Sequence, residues 1–154
     1  MVRLVPMGDD EYAPFMEELL RSYAESHVRS GRWTAAEGPA KAREEVAHLL
    51  TSGRATPDHW FFSVLAEPEG TKVGALWLAV EPRGAFVYDL EIDEPYRRRG
   101  HAEAAMRAAE EVARTRGAGK ISLHVFGDNT GARQLYRKLG YEETNVMMAK
   151  SLAP

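Results

Sequence analysis

Three consecutive arginines and a glycine, Arg97-Arg98-Arg99-Gly100, follow the short run Leu90-Glu91-Ile92-Asp93 and precede a helix-forming stretch that opens His101-Ala102-Glu103. Residues of these types in this order suit a diphosphate. The first turn of a helix leaves backbone N–H groups without intrahelical partners, and the helix dipole places partial positive charge at the same end. Anions dock there. The arginines add full charge, and Gly100, lacking a Cβ, lets the backbone approach a ligand closely. The spacing is not that of a Walker loop, which needs two glycines followed by Lys and Ser or Thr. It also lacks the three glycines of the dinucleotide fingerprint.

A second group lies downstream: Leu123-His124-Val125-Phe126, then Asn129-Thr130-Gly131-Ala132-Arg133-Gln134-Leu135-Tyr136, ending Leu139-Gly140-Tyr141. Asn129 is a good helix N-cap, Ala132, Leu135 and Leu139 share one helical face, and Gly140 is a C-terminal stop. Tyr136 sits one turn after Ala132.

The elements that must position these residues are legible from periodicity. A strand is expected at Arg3–Met7, then a helix over Asp9–Arg29, where Phe15, Met16, Leu19, Leu20 and Tyr23 form an apolar stripe and Asp9 or Asp10 could cap. Ser30-Gly31-Arg32-Trp33-Thr34 breaks it. A second helix over about Ala36–Thr51 carries Val46, Leu49 and Leu50 on one face. His59–Glu67 and Lys72–Glu81 read as strands of a hairpin turning at Pro68-Glu69-Gly70-Thr71, with Ala85–Ile92 as a third strand. After them come a helix around Glu103–Arg114 stopped by Gly117 and Gly119, a strand at Lys120–Phe126, the short Asn129 helix, and a final strand around Asn145–Ser151.

The two motifs resemble the signatures of the GCN5-related N-acetyltransferases, the GNAT superfamily. Arg97-x-x-Gly100-x-Ala102 is similar to its acyl-CoA signature, and the Asn129 to Tyr141 segment to its second one. The resemblance runs from about Phe86 onward. It extends to small bacterial members of unassigned acceptor, which carry similar Tyr-Asp-x-Glu-Ile and Ser-Leu-His-Val-Phe strands. It implies an α/β (α+β) fold, a mixed, mostly antiparallel sheet with splayed middle strands flanked by helices, here as one domain over residues 1–154.

It also implies a site. Main-chain groups of Leu90, Glu91 and Ile92 would hold the pantetheine arm of acetyl-CoA like an added strand. The pyrophosphate would rest on the N–H groups of Arg98, Arg99, Gly100, His101, Ala102 and Glu103, with Arg97 adding charge. Asn129 and Tyr136 would reach the thioester, and Arg133 the distal cofactor. The chemistry implied is direct attack of a primary amine on the thioester, so the amine must be neutral, the oxyanion needs a donor and the sulfur needs a proton. The resemblance suggests Tyr136 as general acid and a backbone N–H near Ile92 as oxyanion donor. Glu91 is the first choice for a base, since alternation turns it opposite to Leu90 and Ile92; Asp89 and Asp93 share its parity.

Blander readings stand beside these. Arginine runs are often solvated, Tyr136 could be a core tyrosine, Glu91 could simply pair with an Arg, and Asn129 could be only a cap. Departures from the family pattern are Pro95, one place late, Arg98 where Gly is frequent, and Ala102 at the last position. A rival of another class is a non-catalytic acyl-CoA sensor or interaction module; a second is an enzyme using a longer acyl group.

Composition narrows the partners. The 154 residues carry a formal net charge of −3, against nucleic acid as the main partner, and acidic residues near the cleft favour a cationic small-molecule or protein amine. With no cysteine there is neither disulfide framework nor thiolate chemistry, and the five histidines lack metal-ligand spacing, so no metal is expected. No segment reads as a signal peptide or membrane span, and a cytoplasmic enzyme is expected. A homodimer is compatible with such folds, although no single stretch announces an interface.

Overall fold

The middle strand of the hairpin sets the architecture. In a computed structural model, which describes residues 1–154, β3 (Thr71–Glu81) is buried without interruption from Val73 to Val80. A strand buried on both faces needs a layer on each side. Leu76 and Leu78 face one layer, where they meet Met106, Ala105 and Ala109; Ala75 and Trp77 face the other, with Phe61, Val46, Leu50 and Met7. Each fully buried Leu contributes about 1.5–3 kcal/mol.

The order is β1 (Val2–Pro6), α1 (Asp9–Arg29), α2 (Gly38–Leu49), β2 (His59–Ala66), β3, β4 (Gly84–Ile92), α3 (His101–Thr115), β5 (Ile121–Leu123) and α4 (Thr130–Lys138). The sheet runs β1-β2-β3-β4-β5, antiparallel except for the parallel pair β4–β5. Helix α3 covers one face through Ala105, Met106, Ala109 and Ala113, whose small side chains let it approach closely. Helices α1 and α2 cover the other, pinned together by Ala24, Trp33 and the fully buried Ala42. The expected mixed, mostly antiparallel sheet flanked by helices is therefore present. No helix is long and apolar enough to cross a membrane.

Several boundaries move, each for a local reason. Gly8, not Asp9 or Asp10, caps α1: its carbonyl accepts from the Glu11 and Tyr12 N–H groups, while its N–H donates to the Glu11 carboxylate at 3.3 Å. Helix α2 starts at Gly38, with Pro39 in its first turn, where a missing N–H costs nothing. The strand expected over Lys120–Phe126 is only three residues long, because it pairs only with Ala85–Val87. The final strand expected around Asn145–Ser151 does not form; residues 142–154 are exposed and carry no regular structure. A strand is held by a ladder of bonds to a neighbour, and residues 144–152 make no backbone hydrogen bond to any strand.

Candidate active site

The sheet opens where the chemistry was expected. Strands β4 and β5 are paired only through Val87 and Leu123; beyond that point Tyr88–Ile92 and His124–Phe126 diverge. The gap is a cavity of about 440 Å³, roofed by α1 and α2 and lined on its walls by Asp89, Glu91, Phe126, Asn129 and Tyr136.

One irregularity decides which side chains enter it. The β3–β4 register slips between Trp77 and Leu78, so Asp89 lies opposite Trp77 while Val87 lies opposite Leu78, leaving Tyr88 as an extra residue in β4. Such a bulge reverses the alternation. Before it, Ala85 and Val87 face α3; after it, Leu90 does. Tyr88 stacks on Trp77 at 4.6 Å between ring centres on the α1/α2 face, and Asp89 and Glu91, opposite Trp77 and Ala75, join it there.

The bulged strand also presents its main chain. Asp93 N–H donates to the Val73 carbonyl, so by alternation Glu91 and Asp93 turn their peptide groups toward β3, and Leu90 and Ile92 turn theirs into the gap. This leaves the Leu90 peptide groups and the Ile92 N–H along the gap, while the Ile92 carbonyl is taken by Arg97 Nε at 2.7 Å and the Glu91 peptide groups turn toward β3. Gly74 makes the approach possible: a Cβ there would lie 2.2 Å from the Glu91 carbonyl oxygen.

The basic turn leaves a row of main-chain donors free. A short 3₁₀ turn, Glu94–Tyr96, leads to Arg97 and then to Gly100, the N-cap of α3, with φ of +84°. From Arg98 to Glu103 no backbone N–H has a protein acceptor. The arginines divide their work. Arg97 donates through Nε to the Ile92 carbonyl at 2.7 Å and pairs with the Glu91 carboxylate at 2.8 Å, so it staples the turn to β4. Arg98 and Arg99 are exposed and make no ion pair, and they are the cations available to an anion. Arg98 adopts φ of +63°, a left-handed conformation unusual for a residue with a Cβ. Glu103 binds Arg107 and Lys138, bringing the end of α4 to the start of α3.

On the opposite wall, Asn129 caps α4 by accepting from the Ala132 N–H at 3.3 Å and also lines the gap. The Tyr136 hydroxyl has no protein partner. Burial and the nearby Asp89 charge raise its pKa, so it keeps its proton at neutral pH. Arg133 is not brought into the gap; it binds the Gly127 carbonyl and Glu143.

The carboxylates differ sharply. Burial, reinforced by Glu91 and Glu18, pushes Asp89 up to about 7. Glu91 is half exposed; burial raises its pKa and Arg97 opposes the rise. The apolar positions Ala85 and Val87 share odd parity and Leu90 and Ile92 even parity, which is the one sequence signal of the bulge and hence of the Asp89 environment. The roof is a further surprise. His27 is buried among Tyr23, Trp33 and Phe126, its Nδ1 has no partner, and burial lowers its pKa. Beside it Glu45 accepts from the Tyr23 hydroxyl at 2.6 Å and pairs with Arg32 at 2.5 Å. No spacing in the chain marks this group; α1, α2 and the loop after β5 assemble it.

A sheet splayed between two parallel strands, an exposed strand edge and an unpartnered helix N-terminus define an acyl-CoA-dependent acetyltransferase. Residues 14–141 match the Acetyltransferase (GNAT) family, to which the chain belongs. It is 37% identical to the uncharacterized N-acetyltransferase YycN of Bacillus subtilis over 98% of this chain and 99% of that one. It is also 33% identical to the uncharacterized N-acetyltransferase YdgE of the same organism, over 97% of each chain. The crystal structure of YycN superposes with a TM-score of 0.94 at 36% identity, covering 100% of both chains. The family uses acetyl-CoA generally, and the free amides of residues 98–103, the unpaired Arg98 and Arg99 and the edge formed by the Leu90 peptide groups and the Ile92 N–H fit that substrate.

The strained Arg98 makes a direct prediction. Arg98→Gly relieves a left-handed side chain, worth about 1 kcal/mol less the extra freedom of glycine in the unfolded chain. We expect the melting temperature to rise by about 1–2 °C while acetyl-CoA binding weakens several-fold for want of the cation. Calorimetry and titration read both.

Proposed function

We propose that this enzyme acetylates a primary amine on a cationic acceptor, with Asp89 receiving the amine proton and Tyr136 protonating the departing sulfur. The observation that carries the reading is the pairing of opposed groups across the splayed strands. Asp89, pushed up to about 7, is poised to accept a proton near neutrality, and Tyr136, raised in part by Asp89, holds one to give.

The balance is simple. The amine nitrogen forms the new bond to the acetyl carbon, the carbon–sulfur bond breaks, the amine proton passes to Asp89 directly or through water, and the sulfur takes the Tyr136 proton. Main-chain groups of Leu90 orient the pantetheine arm, and an N–H near Ile92 donates to the oxyanion. Arg98, Arg99 and the amides to Glu103 hold the pyrophosphate. Glu91, tied to Arg97, fixes the geometry of the turn. Glu18 and Glu91 both act on Asp89 through their charge, and this acidic neighbourhood favours a positively charged acceptor.

Titration of acetyl-CoA into the wild-type protein and into Arg99→Glu and Gly100→Asp tests the cradle. We expect micromolar binding in the wild type and losses of at least about 100-fold in both variants, since each puts a negative charge against the diphosphate. Thiol release from acetyl-CoA with a pool of cationic amines tests turnover. Binding without amine-dependent release would replace the enzyme with a sensor.

A further inference from the structure

Three rings on three adjacent strands form a row across the sheet on the side covered by α1 and α2. His59 opens β2, Trp77 lies in β3 and Tyr88 in β4. Ring centres are 5.8 Å apart between His59 and Trp77 and 5.6 Å apart between His59 and Tyr88. Trp77 and Tyr88 are closer, at 4.6 Å, and nearly parallel, at 23°. Both line the splayed gap, whereas His59 lies outside it and has no place among the reacting groups. Its one side-chain hydrogen bond points elsewhere. The Trp77 indole N–H donates to His59 Nδ1 at 2.9 Å. An indole nitrogen only donates, so the imidazole must be neutral, with its proton on Nε2. Burial favours that state by lowering the His59 pKa, against the charges of Glu81 at the end of β3 and Asp58 in the preceding turn. Trp77 is 2% exposed, and a buried indole N–H needs such a partner.

What Trp77 holds in turn is the bulge. Tyr88 has no ladder partner on either side: the pairing with β3 passes from Val87–Leu78 to Asp89–Trp77, and the pairing with β5 ends at Val87–Leu123. A residue left out of both ladders is placed by its side chain. The Tyr88 ring packs on Trp77, Phe86 and His59. Asp89 comes next in the chain, and its direction follows from that bulge. The sequence of contacts therefore runs from His59 through Trp77 and Tyr88 to a carboxyl on the wall of the gap.

We infer that His59 is a positioning residue for the reaction: by accepting the Trp77 indole N–H it locks the ring on which Tyr88 stacks, and so holds the bulge that turns the Asp89 carboxyl into the gap. For its effect on rate the inference rests on the reading of Asp89 as the base; for its effect on geometry it does not. Loss of the acceptor leaves a buried donor unpaired, frees the indole to turn and loosens the packing that places Tyr88. Asp89 then gains access to water and loses its alignment on the acceptor amine.

Two substitutions separate the hydrogen bond from the bulk of the ring. His59→Leu keeps the bulk and removes the acceptor, whereas His59→Asn places an acceptor oxygen where Nδ1 stood. His59 is half-buried at the start of β2, so neither substitution empties the core. Carbon-13 NMR of the Asp89 carboxyl reads the geometry, and kcat with acetyl-CoA and a pool of cationic amines reads the consequence. In His59→Leu we expect Asp89 to titrate below its wild-type value of about 7, toward the ordinary carboxylate range. We expect kcat to fall by about 10–100-fold while the KM for acetyl-CoA stays within about twofold of wild type. In His59→Asn both the titration and kcat return close to wild type. An Asp89 that titrates alike in wild type and His59→Leu overturns the inference. So does a His59→Asn variant as impaired as His59→Leu, because the ring and not its hydrogen bond would then matter. Adding His59→Leu to Asp89→Asn costs no further rate if His59 acts through Asp89, and an additive loss overturns it. If Asp89 shifts while kcat holds, the positioning stands and the assignment of Asp89 as the base fails instead.

Discussion

Asp89→Asn is expected to lower kcat by about 10²–10⁴-fold, the usual worth of a general base, while acetyl-CoA binds as before. Glu91→Gln, by contrast, is expected to change kcat only a few-fold, because its carboxylate is already engaged by Arg97. The reverse ranking would move the base to Glu91 and sink the Asp89 assignment. Tyr136→Phe belongs to the same series and should lower kcat without weakening acetyl-CoA binding.

The pH profile separates the base from the amine. An aliphatic ammonium acceptor loses its proton near pH 10, so kcat/KM rises with pH throughout the neutral range whatever the enzyme does. Asp89, raised to about 7, adds a second proton dependence below that pH. In the wild type the logarithmic profile is therefore steeper below about pH 7 than above it, and in Asp89→Asn the steeper limb disappears. An unchanged limb in the variant would contradict the role.

The same residue has a signature in stability. Its folded pKa lies above its unfolded one, so between about pH 4 and pH 7 the unfolded chain gives up a proton that the folded chain retains, and stability falls as pH rises through that window. Asparagine has no proton to lose. Asp89→Asn is therefore expected to melt higher than wild type at pH 8 and closer to it at pH 5. The ceiling from a rise to about 7 is about 4 kcal/mol, and partial solvent access reduces this to on the order of 1–2 kcal/mol, a few degrees. A residue kept at a cost to stability and removed at a cost to rate is the pattern of a catalytic carboxyl.

Gly74→Ala is expected to be the most disruptive single methyl in the protein. The added carbon would lie 2.2 Å from the Glu91 carbonyl oxygen, 3.0 Å from Ile92 Cδ1 and 3.1 Å from Ile92 Cα. The obstacle is mainly backbone, so no rotamer change relieves it, and β3 and β4 must separate. Overpacking of this kind costs about 3 kcal/mol, or roughly 6–12 °C of melting temperature for a chain of this size. The separation falls where Leu90 and Ile92 face the gap, so acetyl-CoA affinity should drop by at least about tenfold even in the folded fraction. Gly119→Ala, where a Cβ meets nothing within 4 Å, is the control and should leave both quantities unchanged. Equal behaviour of the two variants would refute the close-approach argument.

The basic turn and the helix that follows it were legible because their physics is local. A glycine able to take φ of +84° and a run of helix formers need only neighbours in sequence to start a helix with free amides at its N-terminus, and the same holds for Asn129 capping α4 and Gly140, with φ of +97°, ending it. Periodicity likewise located every α-helix and the four antiparallel strands, since burial on one face or two is written into the apolar pattern. What the residues did not declare was set by pairing over distance. The bulge at Tyr88 depends on β3 lying beside β4, and it alone brings Asp89 to the face covered by α1 and α2; Arg97, read as part of the cradle, turns back to Glu91 and Ile92 because the fold puts them within reach. His27 meets Phe126, and Tyr23 meets Glu45, only because α1, α2 and the loop after β5 converge, and the apolar alternation of Asn145–Ser151 is not enough to make a strand where its peptide groups bond to no neighbour.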